Sequence, residues 1–254
     1  MQLEGQTAII TGASSGMGAA TAQYLSQHGV KVGLLDINRQ ALESVAELTG
    51  GLAVSCNVTS GADMESAVAE VTEKLGLARI LVCCAGIAPA KRIVGRDGPM
   101  DLEAFRQVIE VNLIGTFNAM RVSATAMTTA EPVTESGERG VIINTASVAA
   151  YEGQIGQAAY ASSKAGIVGL TLPAAREFSR FGVRVMTIAP GLIGTPMLMG
   201  MPEEVQDRLA ASVPFPKRFG QPEEYARLVE HIITNEMLNG DVIRLDGAIR
   251  LQPT

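Results

Sequence analysis

The sequence predicts an α/β fold in which helices cover both faces of a doubly wound, mostly parallel sheet of seven strands. Short apolar runs alternate with longer segments of helical pattern along the chain, as in successive βα units. A glycine-rich turn directly follows the first apolar run, and a serine lies just beyond the fifth. Because ligands bind at the C-terminal ends of strands in open α/β sheets, these features indicate a Rossmann-type binding edge.

The predicted elements are bounded by polar, proline-containing or glycine-containing segments. The predicted strands cover residues 7–11, 31–35, 52–56, 79–84, 140–143, 183–189 and 242–245. The predicted helices run from the glycine turn to residue 28, over 39–49, 60–75 and 101–129, through the segment that contains Tyr160, and over 222–235. Residues 91–101 are expected to form a polar loop, and residues 131–139 a polar insertion.

The first turn carries three glycines in the pattern G-x-x-x-G-x-G: Gly12, Gly16 and Gly18. Gly12 permits a tight turn off the strand. Gly16 lets backbone approach a pyrophosphate, and Gly18 allows close packing of a helix whose N-terminus faces the anion. The spacing differs from the dinucleotide fingerprint G-x-G-x-x-G, so an ordinary glycine-rich turn is the alternative.

Asp36 follows the second strand, eighteen residues after Gly18. A carboxylate at this point can bond both hydroxyls of an adenosine ribose. It also repels a 2′-phosphate, and apart from Arg39 no base lies near enough to compensate, so the expected cofactor is NAD. A helix or turn cap is the alternative role for Asp36.

Three residues suggest hydride transfer at an alcohol carbon. Ser147 lies just beyond the fifth strand, and Tyr160 and Lys164 are four residues apart, which places them on one helix face. A phenol can exchange the alcohol proton if a nearby cation favours the phenolate, and Ser147 can hold the substrate oxygen. A Tyr-x-x-x-Lys pair alone is only moderately specific, so a structural pair is the alternative.

Composition limits the function classes. The chain has 254 residues, 47% of them hydrophobic, which suits one domain over residues 1–254. A net charge of −6 argues against nucleic acid or an anionic membrane as a partner. Two histidines leave little material for a zinc site, and we expect no metal.

The compartment expected from the sequence is the cytoplasm. The three cysteines, Cys56, Cys83 and Cys84, suit buried thiols in a reducing environment better than a disulfide framework. The first strand begins near Thr7, which leaves no room for a signal peptide, and no apolar run approaches the ~18 residues that a membrane span requires.

Four further positions or segments are candidates for the site, and two of them have an alternative structural interpretation. Asn57, after the third strand, can reach an adenine edge or serve as a turn residue. Gly86, after the fourth strand, lets the chain pass close to a ribose or nicotinamide. Asn112, inside a long helix, needs partners for a buried amide and is a candidate water anchor. The methionine-rich segment from Pro190 to Gly220 is either a substrate lid or part of the core.

The motifs, taken over essentially the whole chain, resemble the short-chain dehydrogenase/reductase family. They are Thr11-Gly-x-x-x-Gly-x-Gly18, Cys84-Ala85-Gly86, Asn112, Ser147, Tyr160-x-x-x-Lys164 and Pro190-Gly191. The segments RGVIINTASVAAYEGQIGQAAYASSKAGIVGLTLPAAR, RVMTIAPGLIGTP, VPFPKR and NGDVIRLDGAIR resemble its 3-hydroxyacyl-CoA dehydrogenase branch, as does the insertion at residues 131–139. Two positions depart from the family pattern, because Cys83 and Asn57 stand where Asn and Asp are usual.

The resemblance implies residue roles. Tyr160 is the implied acid/base, Ser147 orients the substrate oxygen, Lys164 bonds the nicotinamide ribose and Asn112 holds a proton-relay water. Implied cofactor contacts are Ser15, Met17, Asp36, Asn57, Val58, Cys84, Pro190, Ile193 and Thr195.

The function implied is NAD-dependent interconversion of 3-hydroxyacyl-CoA and 3-oxoacyl-CoA by a homotetramer. A hydroxysteroid dehydrogenase, a 3-oxoacyl-carrier-protein reductase and a non-catalytic dinucleotide-binding sensor are the alternatives. For an acyl-CoA substrate we expect Lys91, Arg92 and Arg96 to attract the CoA phosphates, although a basic loop is often only solvated.

Overall fold

The computed structural model describes residues 1–96 and 98–253, and for Met197 it describes the backbone alone. In chain order the strands are β1 (Thr7–Thr11), β2 (Lys31–Asp36), β3 (Leu52–Ser55), β4 (Ile80–Cys83), β5 (Val94–Gly95), β6 (Gly98–Pro99), β7 (Gly140–Thr145), β8 (Val183–Pro190) and β9 (Val242–Leu245). Seven of them form one parallel sheet in the order β3-β2-β1-β4-β7-β8-β9. The predicted seven-stranded, doubly wound sheet is therefore confirmed.

Helices pack on both faces of this sheet. They are α1 (Gly16–Gln27), α2 (Arg39–Thr49), α3 (Gly61–Leu75), α4 (Leu102–Ile109), α5 (Gly115–Thr128), α6 (Ala158–Ser179), α7 (Pro196–Met199), α8 (Glu203–Ala211) and α9 (Pro222–Thr234). The order of the strands reverses between β1 and β4, and the C-terminal ends on either side of such a reversal border a crevice. No helix in the described ranges is long and apolar enough to cross a membrane.

The central strands are buried on both faces. Every residue of β1, β4, β7 and β8 is buried, which explains their continuous apolar runs in the sequence. Ile10 and Ile143 belong to a cluster with residues of α1 and α9, while Ile9 and Ile142 belong to a second cluster with residues of α3 and α5. Each such side chain contributes about 1.5–3 kcal/mol of apolar burial.

Two predicted segments have more structure than the sequence indicated. The helix expected over 101–129 is divided into α4 and α5 by a π-helical turn, Glu110–Ile114, which contains Asn112. The loop expected over 91–101 contains the small antiparallel hairpin of β5 and β6. The segment contains no proline and its backbone stays helical through the π turn, so the sequence shows no break there.

The insertion over 131–139 is anchored in the protein interior. Glu138 is 4% exposed and Arg184 on β8 is 7% exposed. Their side chains form an ion pair, with Arg184 Nη2 2.7 Å and Arg184 Nε 2.8 Å from Glu138 Oε1. Arg184 also donates to the backbone oxygens of Ile233 and Leu238. The insertion is thus tied both to the sheet and to the end of α9.

We predict that Glu138→Gln lowers the free energy of unfolding by about 3 kcal/mol, because the change leaves the buried Arg184 guanidinium without its counter-charge. Urea denaturation at neutral pH measures the loss. The control is Glu135→Gln, an exposed residue of the same insertion, which should change stability by less than about 0.5 kcal/mol. Equal stability of the two variants would contradict a structural role for the pair.

Candidate active site

A cavity of about 540 Å³ lies at the C-terminal ends of β1, β2, β4 and β7. Ser147 lines this cavity, and so do all the cofactor-binding residues expected from the sequence. These are Gly12, Ser15, Gly16, Met17, Gly18, Asp36, Asn57, Val58, Cys84, Gly86, Tyr160, Lys164, Pro190, Ile193 and Thr195. Asn112 is absent from this lining and lies behind it. The fold therefore brings together residues from the whole length of the sequence.

The three glycines of the turn stand where a side chain would have little or no room. Gly12 has φ +66°, and a Cβ there would lie 2.6 Å from the backbone nitrogen of Ala85. A Cβ on Gly18 would lie 2.2 Å from the oxygen of Gly12. Gly16 has φ +54° and faces Thr195, so that a Cβ on Gly16 would lie 3.3 Å from Thr195 Cγ2. The turn thus presents bare backbone and the N-terminus of α1 to the cavity, as a pyrophosphate site requires.

Asp36 has the turn-capping role that was the alternative considered for it. Its carboxylate accepts hydrogen bonds from the backbone N–H of Ser14, at 3.2 Å, and of Asn38, at 2.9 Å. These bonds join the glycine turn to the start of α2 and fix the carboxylate at the cavity wall. Because each oxygen has a second lone pair, the carboxylate can still accept bonds from ribose hydroxyls.

Asn57 lies at the cavity, but its side-chain oxygen is already bonded. It accepts from the backbone N–H of Thr59 at 3.1 Å and from the Thr59 hydroxyl at 3.0 Å. This is the turn role that the sequence left open. Val58, 8% exposed, lies beside it and offers an apolar surface to the cavity.

Ser147 and Tyr160 face each other across the cavity end. Ser147 begins a 3₁₀ turn, Val148–Ala150, and its hydroxyl accepts from the N–H of Ala149 at 3.1 Å. Burial raises the pKa of the Tyr160 phenol, and the Ser147 hydroxyl beside it partly offsets this effect. The phenol is therefore protonated at neutral pH in this arrangement, and it is ready to donate a proton to a substrate oxygen.

Lys164 is a buried cation, only 5% exposed. Its Nζ donates to the backbone oxygen of Thr145 at 2.8 Å and lies 5.7 Å from the centroid of the Tyr160 ring. Burial lowers the pKa of Lys164 to about 8, an effect that Cys84 and Cys83 partly oppose. The sequence suggested that Lys164 would favour the phenolate, yet the pKa of Tyr160 is raised, because burial penalises both charged forms.

Asn112 binds the chain that follows β4. Its Oδ1 accepts from the N–H of Ile87 at 2.8 Å, while Nδ2 donates to the Ile87 oxygen at 2.9 Å and to the Ser163 hydroxyl at 3.0 Å. A Cβ on Gly86 would lie 3.2 Å from Asn112 Oδ1 and 3.6 Å from Lys164 Nζ. By bonding Ile87, the Asn112 amide thus holds the neighbouring Gly86 close to itself and to Lys164 Nζ.

The segment after β8 covers one side of the cavity. Gly194 N–H bonds the oxygen of Gly220, and Ile193 and Gly220 form an isolated bridge, so the two ends of the segment are held together. Met199 is 53% exposed and Met201 is 41% exposed, which makes the core interpretation wrong for these two residues. The side chain of Met197 is outside the described part of the structure.

The three basic residues of the 91–101 segment, Lys91, Arg92 and Arg96, are exposed and do not line the cavity. The segment nevertheless contacts the loop between Ser147 and Tyr160, because Lys91 N–H donates to the oxygen of Gly156 at 2.8 Å.

Comparison with known proteins agrees with this geometry. The family model described as short chain dehydrogenase matches residues 6–206. The chain belongs to the short-chain dehydrogenase family. The 3-hydroxyacyl-CoA dehydrogenase type-2 of Homo sapiens is 51% identical, in a match covering 99% of this chain and 97% of that protein. The Bos taurus protein of the same name is 52% identical with the same coverage.

A solved structure is also similar. The crystal structure of 3-hydroxyacyl-CoA dehydrogenase type-2 from Mycobacterium avium superposes with a TM-score of 0.94 at 44% identity, covering 98% of each chain. The cofactor of this short-chain dehydrogenase is a nicotinamide dinucleotide, and the residues present fit one. The three glycines of the turn, which bring bare backbone to the cavity, suit the pyrophosphate, and the fixed Asp36 carboxylate suits the adenosine ribose.

Two residues of this short-chain dehydrogenase site were missed in the sequence. Thr145 supplies the carbonyl that accepts from Lys164, and its hydroxyl donates to the oxygen of Cys83 at 2.6 Å. Tyr225 on α9 is fully buried, and its hydroxyl lies 2.8 Å from Thr145 Oγ1 and 3.7 Å from Cys84 Sγ. Tyr225 lies in no motif, and although Thr145 lies in a segment quoted for the family resemblance, the contact joins helix and sheet residues 80 positions apart, which no local pattern shows.

We predict that Lys164→Met abolishes turnover yet stabilises the cofactor-free protein by about 1–2 kcal/mol at pH 7. In the wild type, burying the lysine charge costs on the order of 3 kcal/mol, which the variant avoids. The variant leaves the Thr145 carbonyl unpaired, and this cost offsets part of its gain in stability. The folded pKa, about 8, is below the unfolded value of 10.5. The stability gap between variant and wild type is therefore largest below pH 8 and shrinks as pH rises from 8 towards 10.5.

Urea denaturation across this pH range measures the gap. The control is Lys74→Met, because Lys74 is an exposed residue of α3 paired with Glu70, and its loss should change stability little at any pH. A pH-independent gap, or a less stable Lys164→Met protein at pH 7, would contradict the prediction.

Proposed function

We propose that this chain is an NAD-dependent 3-hydroxyacyl-CoA dehydrogenase that interconverts 3-hydroxyacyl-CoA and 3-oxoacyl-CoA. The observation that carries the proposal is the identity of about half the residues, over nearly the whole chain, with relatives of that name. The serine, tyrosine and lysine that the reaction needs line one cavity, which supports the same chemistry.

Tyr160 is proposed to exchange the proton. When bound, the nicotinamide ring supplies or accepts the hydride at the substrate carbon. In reduction the Tyr160 hydroxyl donates its proton to the developing alkoxide, and in oxidation the phenolate takes the alcohol proton. Ser147 holds the substrate oxygen by a hydrogen bond, and Lys164 carries positive charge beside the phenol. Burial raises the pKa of Tyr160 and so keeps the phenol protonated at neutral pH, the form that reduction requires.

Two other enzyme classes remain as alternatives. A hydroxysteroid dehydrogenase would use the same proton chemistry on a rigid apolar substrate, and a 3-oxoacyl-carrier-protein reductase would use NADPH. The carboxylate of Asp36 disfavours the second, because it would repel a 2′-phosphate. A sensor without catalysis would not need Ser147, Tyr160 and Lys164 in one cavity.

A turnover screen tests the proposal. Acyl-CoA thioesters of increasing chain length are compared with sterols, each with NAD(H) and NADP(H). We expect the highest kcat/KM with a 3-oxoacyl-CoA and NADH or with the matching hydroxyacyl-CoA and NAD. Activity limited to sterols, or to carrier-protein thioesters with NADPH, would replace the proposal with one of the alternatives.

Tyr160→Phe should lower kcat by about 10² or more while NAD binding is nearly unchanged, because only the exchangeable proton is lost. Steady-state kinetics and a binding titration measure the two effects. Tyr24→Phe is the control, since Tyr24 bonds Glu230 between α1 and α9, away from the cavity. Retention of most activity by Tyr160→Phe would exclude this mechanism.

Asp36→Ala should reduce the preference for NAD over NADP at least tenfold, or about 1.4 kcal/mol, because the repulsion of a 2′-phosphate is removed. The ratio of kcat/KM for the two cofactors is the measurement. Glu47→Ala, which removes an exposed carboxylate from the same helix, α2, should leave the ratio unchanged. A wild-type enzyme that uses both cofactors equally well would contradict the role of Asp36.

Replacing Lys91, Arg92 and Arg96 by Ala should raise KM for acetoacetyl-CoA, more at low salt, and leave KM unchanged for a truncated thioester that lacks the nucleotide. The reason is that only the full substrate carries phosphates for the basic segment to attract. A charge-matched control replaces Lys31, Arg176 and Arg180, which are exposed at other places. An equal effect on both substrates would remove the segment from the CoA site.

Assembly and compartment complete the proposal. A homotetramer is supported by β9, which is the edge strand of the sheet and only half-buried in the single chain. A cytoplasmic location is supported by the three thiols, Cys56, Cys83 and Cys84, all of which are free.

A further inference from the structure

The loop between Ser147 and Tyr160 consists of two stiff turns. In the first, the Ser147 oxygen accepts from Ala150 N–H, and the Val148 oxygen accepts from Glu152 N–H, each at 3.0 Å. In the second, the Gln154 oxygen accepts from Gln157 N–H at 3.0 Å, and the Gln157 side chain bonds back to Gln154 N–H at 3.1 Å. Each turn is therefore closed by its own hydrogen bonds, the first beginning at Ser147 and the second ending three residues before Tyr160.

Gly153 is the only residue between the two turns. A Cβ there would lie 2.9 Å from the Cβ of Ala161 on α6. The relative position of the two turns thus depends on contacts made by the residues on either side of Gly153.

The first turn is held by an ion cluster. Glu152 accepts from Arg244 on β9 through both guanidinium nitrogens, Nη1 at 2.8 Å and Nη2 at 3.1 Å. Arg250 Nε lies 3.3 Å from the same carboxylate, and Leu251 N–H donates to it at 3.3 Å. The Arg244 guanidinium also lies over the Tyr151 ring, 5.4 Å from its centroid.

The second turn is held by the backbone of the C-terminal segment that follows β9. Gln154 Nε2 donates to the oxygen of Gln252 at 2.8 Å, and Ile155 N–H donates to the oxygen of Pro253 at 2.9 Å. The segment 244–253 therefore fastens both turns, one through charge and the other through main-chain carbonyls.

The same segment reaches the cofactor wall. Gly191, which lines the cavity, donates its N–H to the oxygen of Leu245 at 2.9 Å. Asp246, which accepts from Arg244 Nε at 2.7 Å, packs so closely on Gly191 that a Cβ there would lie 2.9 Å from the Asp246 Cα. A single segment thus contacts both the cofactor wall and the loop that carries the proton-transfer residues.

We propose that Glu152 and Arg244 are positioning residues, whose ion pair sets the distance between Ser147 and Tyr160 at the substrate oxygen. Strand β7 and helix α6 bring the two residues to the same cavity, and the pair fixes the loop that remains between them. This inference rests on the proposed dehydrogenase activity. Small errors of placement slow a proton transfer strongly, so loosening the loop lowers kcat more than cofactor affinity.

The test uses Glu152→Gln, which keeps the size of the side chain and leaves the Arg244–Asp246 contact on the cofactor side. We expect kcat with acetoacetyl-CoA to fall about tenfold, while the Kd for NADH stays within about twofold of wild type. The deuterium isotope effect on kcat with 3-deuterated 3-hydroxybutyryl-CoA should increase, because chemistry becomes more rate-limiting. An unchanged kcat and isotope effect would overturn the proposal.

Four further variants sharpen the test. Arg244→Gln should reduce kcat similarly, and the double variant should be no slower than the slower single one, because both remove the same interaction. Additive losses would overturn the pairing. Glu65→Gln breaks the ion pair that joins Arg121 on α5 to α3 and should leave kcat unchanged. If Glu152→Gln does not fold, Gln154→Ala, which removes the bond to Gln252 and a longer one accepted from Gln157 Nε2, should lower kcat by a smaller factor.

Hydrogen exchange separates this proposal from the proposed function. In Glu152→Gln, the amides of residues 148–157 should exchange faster while those of β7 and α6 keep their wild-type rates. That result in a protein inactive on every thioester would retain the positioning role of the ion pair in the loop and overturn the proposed function. If Glu152→Gln turns over acetoacetyl-CoA with the wild-type kcat, and its amides exchange at wild-type rates, the proposed function is retained and the positioning role is overturned.

Discussion

One buried ammonium group organises the catalytic end of the cavity. Lys164 gives up its hydration, and the carbonyl of Thr145 is the acceptor that replaces part of it. That carbonyl belongs to the last residue of β7, and the ladder with β4 ends one residue earlier, at the pair Cys83 with Asn144. The position of the lysine thus depends on the length of a strand, and Tyr160, one helical turn before it, is fixed by the same bond.

Features that depend on local sequence were predictable. The strands are short apolar runs, and the glycine turn, Asp36, Ser147, Tyr160 and Lys164 have types and spacings that their chemistry requires. The structure confirms the predicted central strands, whose ends differ from the prediction by no more than two residues. The resemblance to a known family added residues such as Ile193 and Thr195, for which spacing alone gave no reason.

Features that depend on distant contacts were not predictable. The bond between Tyr225 and Thr145, the π turn at Asn112 and the burial of Glu138 in a polar insertion each result from a partner far away in the chain. The pKa of Tyr160 was also misjudged, because the sequence shows that a cation is near but not how strongly both groups are desolvated. The pKa of a buried group depends on how the surrounding elements pack, and no local pattern in the sequence encodes that packing.

The placement of the cysteines has a consequence for chemical durability. Burial raises the pKa of Cys56 to about 11, and it also raises the pKa values of Cys83 and Cys84. Since the thiolate is the species that attacks electrophiles and is oxidised, these thiols react slowly at neutral pH. Cys84 lines the cavity, so a sulfinate or adduct there would occupy cofactor space. The same desolvation that penalises the lysine charge therefore also lowers the fraction of Cys84 present as thiolate beside the nucleotide site.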